Sequence, residues 1–148
     1  VGEAVETVRL RGLIDEVSEG AVRAGAHVSV AADPDLTASV RPNALKRALS
    51  NLVMNAAVHG ENVQVAANVR PQGGVEITVD DDGPGIPEDR YEEAFKAFGR
   101  LAESRNQNAG GVGLGLAIAR DVARGHGGDI VLARSPLGGL RAVVRLPG

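Results

Sequence analysis

The chain has 148 residues, 43% of them hydrophobic, only 2% aromatic, and a formal charge of −3. That is the size of one ordinary domain, and its core must be built from Ala, Val, Leu and Ile. The absence of cysteine excludes disulfides and thiolate metal sites, and no clustered basic run tracks a phosphate backbone, so nucleic acid is not an expected partner. No apolar run reaches membrane-spanning length, so this stretch is not expected to touch a membrane directly. In chain order, Leu10, Leu13, Ile14, Val17, Ala21 and Ala24 recur at helical spacing and predict a helix from Arg9 to Ala24, ended by Gly25. His27 to Val30 alternates like a strand, and Asp33-Pro34-Asp35 marks a turn. Pro42 suits the first position of a second helix that runs to about His59 and stops at Gly60, with Leu45, Leu49, Leu52, Val53 and Ala56 as its apolar stripe. Asn62 to Arg70 and Val75 to Val79 flank the turn Pro71 to Gly74 and predict a hairpin.

Asp80 to Pro87 reads as a loop, followed by a short polar helix through Tyr91 to Lys96. Residues 99–110 have no periodicity, and a loop of that length in a small domain is usually functional or mobile. A third helix, Leu114 to His126, is entered through glycines and ended by Gly127-Gly128. Ile130 to Leu132 and Arg141 to Leu146 close the chain as strands around Pro136-Leu137-Gly138-Gly139. Helices mixed with consecutive hairpins predict an α/β sandwich: a mixed, largely antiparallel sheet with helices on one face.

Three segments carry chemistry. Asn51 and Asn55 are four apart and so share one side of the second helix. An amide oxygen is a hard ligand suited to Mg²⁺, although such a pair alone reads first as a polar flank. Asp81-Asp82-Gly83-Pro84-Gly85 offers a carboxylate acceptor beside glycines that let the backbone approach a flat ring; alone it reads first as a surface turn. Gly110-Gly111-Val112-Gly113-Leu114-Gly115-Leu116 leads into a helix, where free N–H groups attract anions. It lacks the third glycine of a dinucleotide fingerprint and the Lys of a phosphate-binding P-loop.

Together, in this order and with Phe95-Lys96-Ala97-Phe98 between the last two, these segments resemble the N, G1, F and G2 boxes of the catalytic domain of sensor histidine kinases. That domain lies within the gyrase, chaperone, histidine kinase and mismatch-repair ATPase superfamily. The resemblance covers nearly the whole chain as one catalytic domain, 1–148, and the tail looks most like the osmosensor-type kinases. It implies a Bergerat-type fold and binding of Mg²⁺-ATP. It assigns Asn55 to the metal and Asn51 to the phosphates. Asp81 would read the adenine amine, with Gly83, Gly85 and Ile86 lining the base. Residues 99–110 would be a lid carrying Arg100 and Arg105 to the outer phosphates, and Phe95 and Phe98 its anchors or plain core. Gly111, Val112, Gly113, Leu114, Gly115 and Leu116 would form the phosphate cradle. The implied partner is a dimerisation domain of the same protein that carries the phospho-acceptor histidine, with a response regulator downstream. A cytoplasmic domain of a parent anchored in the inner membrane is expected.

The chain departs from the family pattern where Met54 replaces an acidic residue, Val58 replaces a basic one, and His59 stands where Tyr is frequent. His59 is a candidate nucleotide contact or a solvent-facing helix end. His27 and His126 lack an acidic neighbour and read as structural. Met54 and Val58 keep a second reading open, a nucleotide-binding regulatory module with little transfer activity. A water-activating clamp ATPase is disfavoured, because Asn51 cannot serve as the general base that a Glu provides there.

Overall fold

A computed structural model describes residues 3–96 and 110–147. A five-stranded sheet has the order β2-β4-β5-β7-β6, formed by β2 (His27–Ala32), β4 (Asn62–Val69), β5 (Val75–Asp81), β6 (Asp129–Arg134) and β7 (Leu140–Leu146). β2 and β4 run parallel; every other neighbouring pair is antiparallel. Helices α1 (Leu10–Arg23), α2 (Pro42–His59) and α3 (Gly110–Gly125) pack on one face, with α2 in the middle against β4 and β5. The predicted architecture is therefore the observed one. Its core is aliphatic: Leu10, Ile14, Leu45, Leu49, Ile77, Leu116, Ile130 and Leu146 are among the largest fully enclosed side chains. Each such side chain contributes about 1.5–3 kcal/mol by leaving water.

Three details differ from the sequence reading. A small sheet of β1 (Glu6–Arg9) and β3 (Thr37–Val40) was not expected. Its strands are four residues long and pair Glu6 with Val40, so no local pattern announces them. Asp80 and Asp81, assigned to a loop, extend β5, because Arg141 and Val63 on the flanking strands are there to pair with them. The third helix begins at Gly110 rather than Leu114. Glycine in a helix costs about 1 kcal/mol against alanine but does not forbid it.

The N-terminus of α2 is capped from a distance. Its own N-cap, Arg41, offers no side-chain bond. Instead the Glu3 carboxylate accepts the N–H of Asn43 at 2.7 Å and of Ala44 at 2.9 Å. The Arg41 N–H donates to His126 Nε2 at 3.0 Å, while His126 Nδ1 lies 2.8 Å from the Val122 carbonyl and donates to it. Both ring nitrogens are thus engaged, which accords with a structural His126.

Candidate functional site

Alternation along β5 turns Val75, Ile77 and Val79 into the core, and Asp81 is next on that same face. Likewise Asn55 extends the buried face of α2 that carries Leu45, Ala48 and Leu52. Two polar side chains therefore stand where the patterns call for apolar ones, at the same end of the domain. Asp81 is 3% exposed and Asn55 4%. Between them lies a cavity of about 190 Å³ lined by Asn55, His59, Asp81, Pro84, Gly85, Ile86 and Leu140.

The Asp81 carboxylate is aimed by backbone donors. Its Oδ1 accepts the Gly83 N–H at 2.9 Å and the Leu140 N–H at 3.2 Å. The Asp81 carbonyl accepts the Gly139 N–H at 3.1 Å. With Oδ1 so occupied, Oδ2 is, among the described residues, the oxygen left to take a donor from a ligand. The loop that follows approaches closely: a Cβ at Gly83 would collide with the His59 carbonyl, and Gly85 has φ +75°, a conformation natural to glycine. Asp82 ties this loop to the end of α2. Its Oδ1 accepts the N–H groups of Glu61 at 2.8 Å and Asn62 at 3.0 Å, and its Oδ2 accepts Asn62 Nδ2 at 2.9 Å. The Asn62 backbone N–H, followed by its side-chain amide, holds the Asp82 carboxyl below the usual range.

The Asn55 Oδ1 is buried with no hydrogen-bond partner among the described residues. An unpaired buried acceptor costs about 1–3 kcal/mol, so a donor or a cation delivered into the cavity is well received there. Among the described residues no group of three or more His, Cys, Asp or Glu could hold a metal ion. A hard cation at Asn55 would therefore depend on ligand oxygens and water for the rest of its shell, as Mg²⁺ commonly does.

Of the residues singled out from sequence, Asn55, His59, Asp81, Gly85 and Ile86 line one cavity, and Gly83 abuts it. Asn51 lies one turn earlier on α2, half-buried and outside the lining. Gly111, Val112, Gly113, Leu114 and Gly115 belong to the first turns of α3, whose leading N–H groups have no intrahelical acceptor; Leu116 is enclosed in the core. Phe95 is buried, with the Arg120 guanidinium 4.1 Å from its ring centre. Arg100, Arg105 and Phe98, with nearly all of the stretch assigned as a lid, lie outside the described residues. Met54 and Val58 are exposed and do not line the cavity. Sequence reasoning missed Gly139 and Leu140. They sit next to Asp81 in space but 58 and 59 residues later in the chain, and the glycine pair before β7 was the only local mark.

Residues 40–148 match the family described as Histidine kinase-, DNA gyrase B-, and HSP90-like ATPase. The chain belongs to this family. Within it the relatives are sensor histidine kinases. The chain is 41% identical over 147 residues to sensor histidine kinase GtrS of Pseudomonas aeruginosa, covering 99% of this chain and 30% of that protein. The ATP binding domain of PrrB from Mycobacterium tuberculosis superposes with a TM-score of 0.75 at 33% identity, covering 99% of this chain and 98% of that one. Full-length ShkA in complex with AMPPNP matches with a TM-score of 0.77 at 26% identity, over 100% of this chain and 32% of that one. The chain is thus a histidine kinase catalytic domain by fold and kinship, and it spans about 30% of the length of GtrS. The osmosensor subtype remains a resemblance.

Proposed function

We propose that this domain binds Mg²⁺-ATP and presents its γ-phosphate to a histidine on a separate dimerisation domain. The observation that carries the reading is the pairing of a backbone-aimed carboxylate, Asp81, with a buried amide oxygen, Asn55, that has no partner among the described residues, across one cavity of about 190 Å³. In this reading Asp81 Oδ2 accepts the adenine amine, Pro84, Gly85, Ile86 and Leu140 enclose the base, and His59 lies at the rim. Asn55 holds the metal, assisted by Asn51, and the residues from Gly111 to Gly115 receive phosphate at the start of α3, with Leu116 anchoring that turn in the core. Bound Mg²⁺ would offset phosphate charge during transfer. Arg100 and Arg105 are assigned to the outer phosphates.

The acceptor is supplied from elsewhere. His27 opens β2, His59 ends α2, and His126 has both ring nitrogens engaged. A nucleophile must lie within about 3–3.5 Å of the phosphorus, and a tethered partner domain brings it there. No described helix is long and apolar enough to cross a membrane. A cytoplasmic location under an inner-membrane anchor, and a response regulator acting after the histidine, belong to the same proposal.

Calorimetric titration with ATP, with and without Mg²⁺, tests it. Asp81→Asn is expected to weaken binding by about 1–3 kcal/mol under both conditions, as for a lost hydrogen bond to a charged group. Asn55→Ala is expected to remove mainly the Mg²⁺-dependent part. Unchanged ATP affinity in a folded Asp81→Asn protein would remove Asp81 from the site.

A further inference from the structure

We infer that Arg141, through its ion pair with Asp80 on the face of the sheet away from the cavity, is a positioning residue that aims Asp81 at the exocyclic amine of the nucleotide. The inference rests on the reading of Asp81 given above. Asp80 and Asp81 are neighbours on β5 and therefore point to opposite faces of the sheet. Asp80 is 1% exposed, and Arg141 grips it with a fork: Nε to Oδ1 at 2.8 Å and Nη2 to Oδ2 at 2.9 Å. The pair is directly cross-strand and is the last rung of the β5–β7 ladder before β5 runs out into the site loop.

What lies beyond that rung gives the pair its consequence. Leu140, next to Arg141, donates the N–H that holds Asp81 Oδ1, and Gly139 donates to the Asp81 carbonyl. At 3.2 Å the Leu140 bond is at the long end of useful geometry, so a small slip of β7 along or away from β5 loses it first. A forked guanidinium–carboxylate pair fixes both distance and direction between the strands, which a single point charge does not.

The rest of the same ladder supplies a contrast. Four residues along, Glu76 and Arg145 also face each other on the outer side, but their closest approach is 3.9 Å and Arg145 Nε has no hydrogen-bond partner among the described residues. Between them stand Thr78 and Val143. Of the three outward rungs, the forked pair is the one whose chain neighbours, Asp81 and Leu140, line the cavity. With the Arg141 side chain 34% exposed the pair is half-buried; ion pairs of this kind add little net stability, and their better-attested use is to fix geometry.

The test compares ATP with purine ribonucleoside triphosphate, which lacks the amine, on the whole chain, with thermal melting to verify folding. Wild type is expected to prefer ATP. Arg141→Met should lose about 5- to 10-fold in ATP affinity, the effect of a weakened charged hydrogen bond, while the amine-free analogue changes by less than about 2-fold. Arg141→Lys, which keeps the charge without the fork, should show an intermediate preference, and Arg145→Met should keep the wild-type preference. If Arg141→Met is folded and loses both nucleotides equally, or keeps the full preference, the positioning role is overturned. If Arg141→Met does not fold and Arg141→Lys prefers ATP as wild type does, it is overturned as well. A wild type that does not distinguish the two nucleotides defeats the assignment of Asp81 itself, and this inference with it; a preference present in wild type and untouched in the folded Arg141 variants defeats this inference alone.

Discussion

Adding one methyl group at Gly139 and one at Gly138 separates a site effect from a fold effect. A Cβ at Gly139 would lie 2.6 Å from the Asp81 carbonyl oxygen, 2.6 Å from the Gly83 nitrogen, and closer still to Asp81 Oδ1. Two of these are backbone atoms that no rotamer change can clear. Overpacking of this kind costs about 1–3 kcal/mol in stability. The relief route pushes Asp81 away from the donors at Gly139 and Leu140, so a charged hydrogen bond to ATP worth about 1.5–3 kcal/mol is forfeited, roughly 10- to 100-fold in dissociation constant. At Gly138 a Cβ meets nothing within 4 Å, but φ is +109°. Alanine there is strained by about 1–3 kcal/mol, and nothing is driven into the cavity. Both substitutions should therefore lower the urea midpoint by comparable amounts, while Gly139→Ala alone weakens ATP in calorimetry. Equal affinity losses in the two proteins, or a folded Gly139→Ala that binds ATP as wild type does, would refute the argument.

Gly12 lies inside α1 with nothing within 4 Å of an added Cβ and no positive φ, so Gly12→Ala should stabilise the chain by about 0.5–1 kcal/mol in urea unfolding without changing ATP affinity. Glu3 ionises more readily in the folded chain, first because of the Asn43 N–H and then the Ala44 N–H and the charges of Arg41 and Arg47. A depressed folded pKa means that its contribution is present above the ordinary glutamate value of about 4.3 and is lost as pH falls through the lower folded value. Glu3→Gln should thus melt below wild type at neutral pH and converge with it in acid; a gap that is constant with pH would show that the ionised cap is not the cause.

The sequence was most informative where periodicity and chemistry coincide. The apolar stripe of α2 and the alternation of β5 locate both elements; Asn55 reads as a polar flank and Asp81 as part of a turn, and only the packed structure sets them on buried faces. The four motifs then pointed to the family through their order rather than through any one of them. What stayed illegible was held by long-range partners. The β1–β3 sheet joins residues from Glu6 with Val40 to Arg9 with Thr37, far apart in the chain, and the extension of β5 to Asp81 depends on β4 and β7 lying alongside. Leu140 enters the site through its backbone N–H, which every residue but proline possesses, so its identity carried no signal. The same holds for the pairing of Asp80 with Arg141: one stands in a predicted loop and the other opens a predicted strand, and the fork between them forms only once the strands meet.

The cap on α2 makes that helix a lever. Its 18 residues span about 27 Å, with the Glu3 fork gripping one end and Asn55 and His59 carried near the other. A hydrogen-bonded helix is stiff along its axis, so an axial push at Glu3 would be carried along α2 toward the cavity wall. Arg41 and His126 bolt the gripped end to the tail of α3 as well. The first residues, the start of α2 and the end of α3 are therefore joined by one set of hydrogen bonds, at the opposite end of α2 from Asn55 and His59.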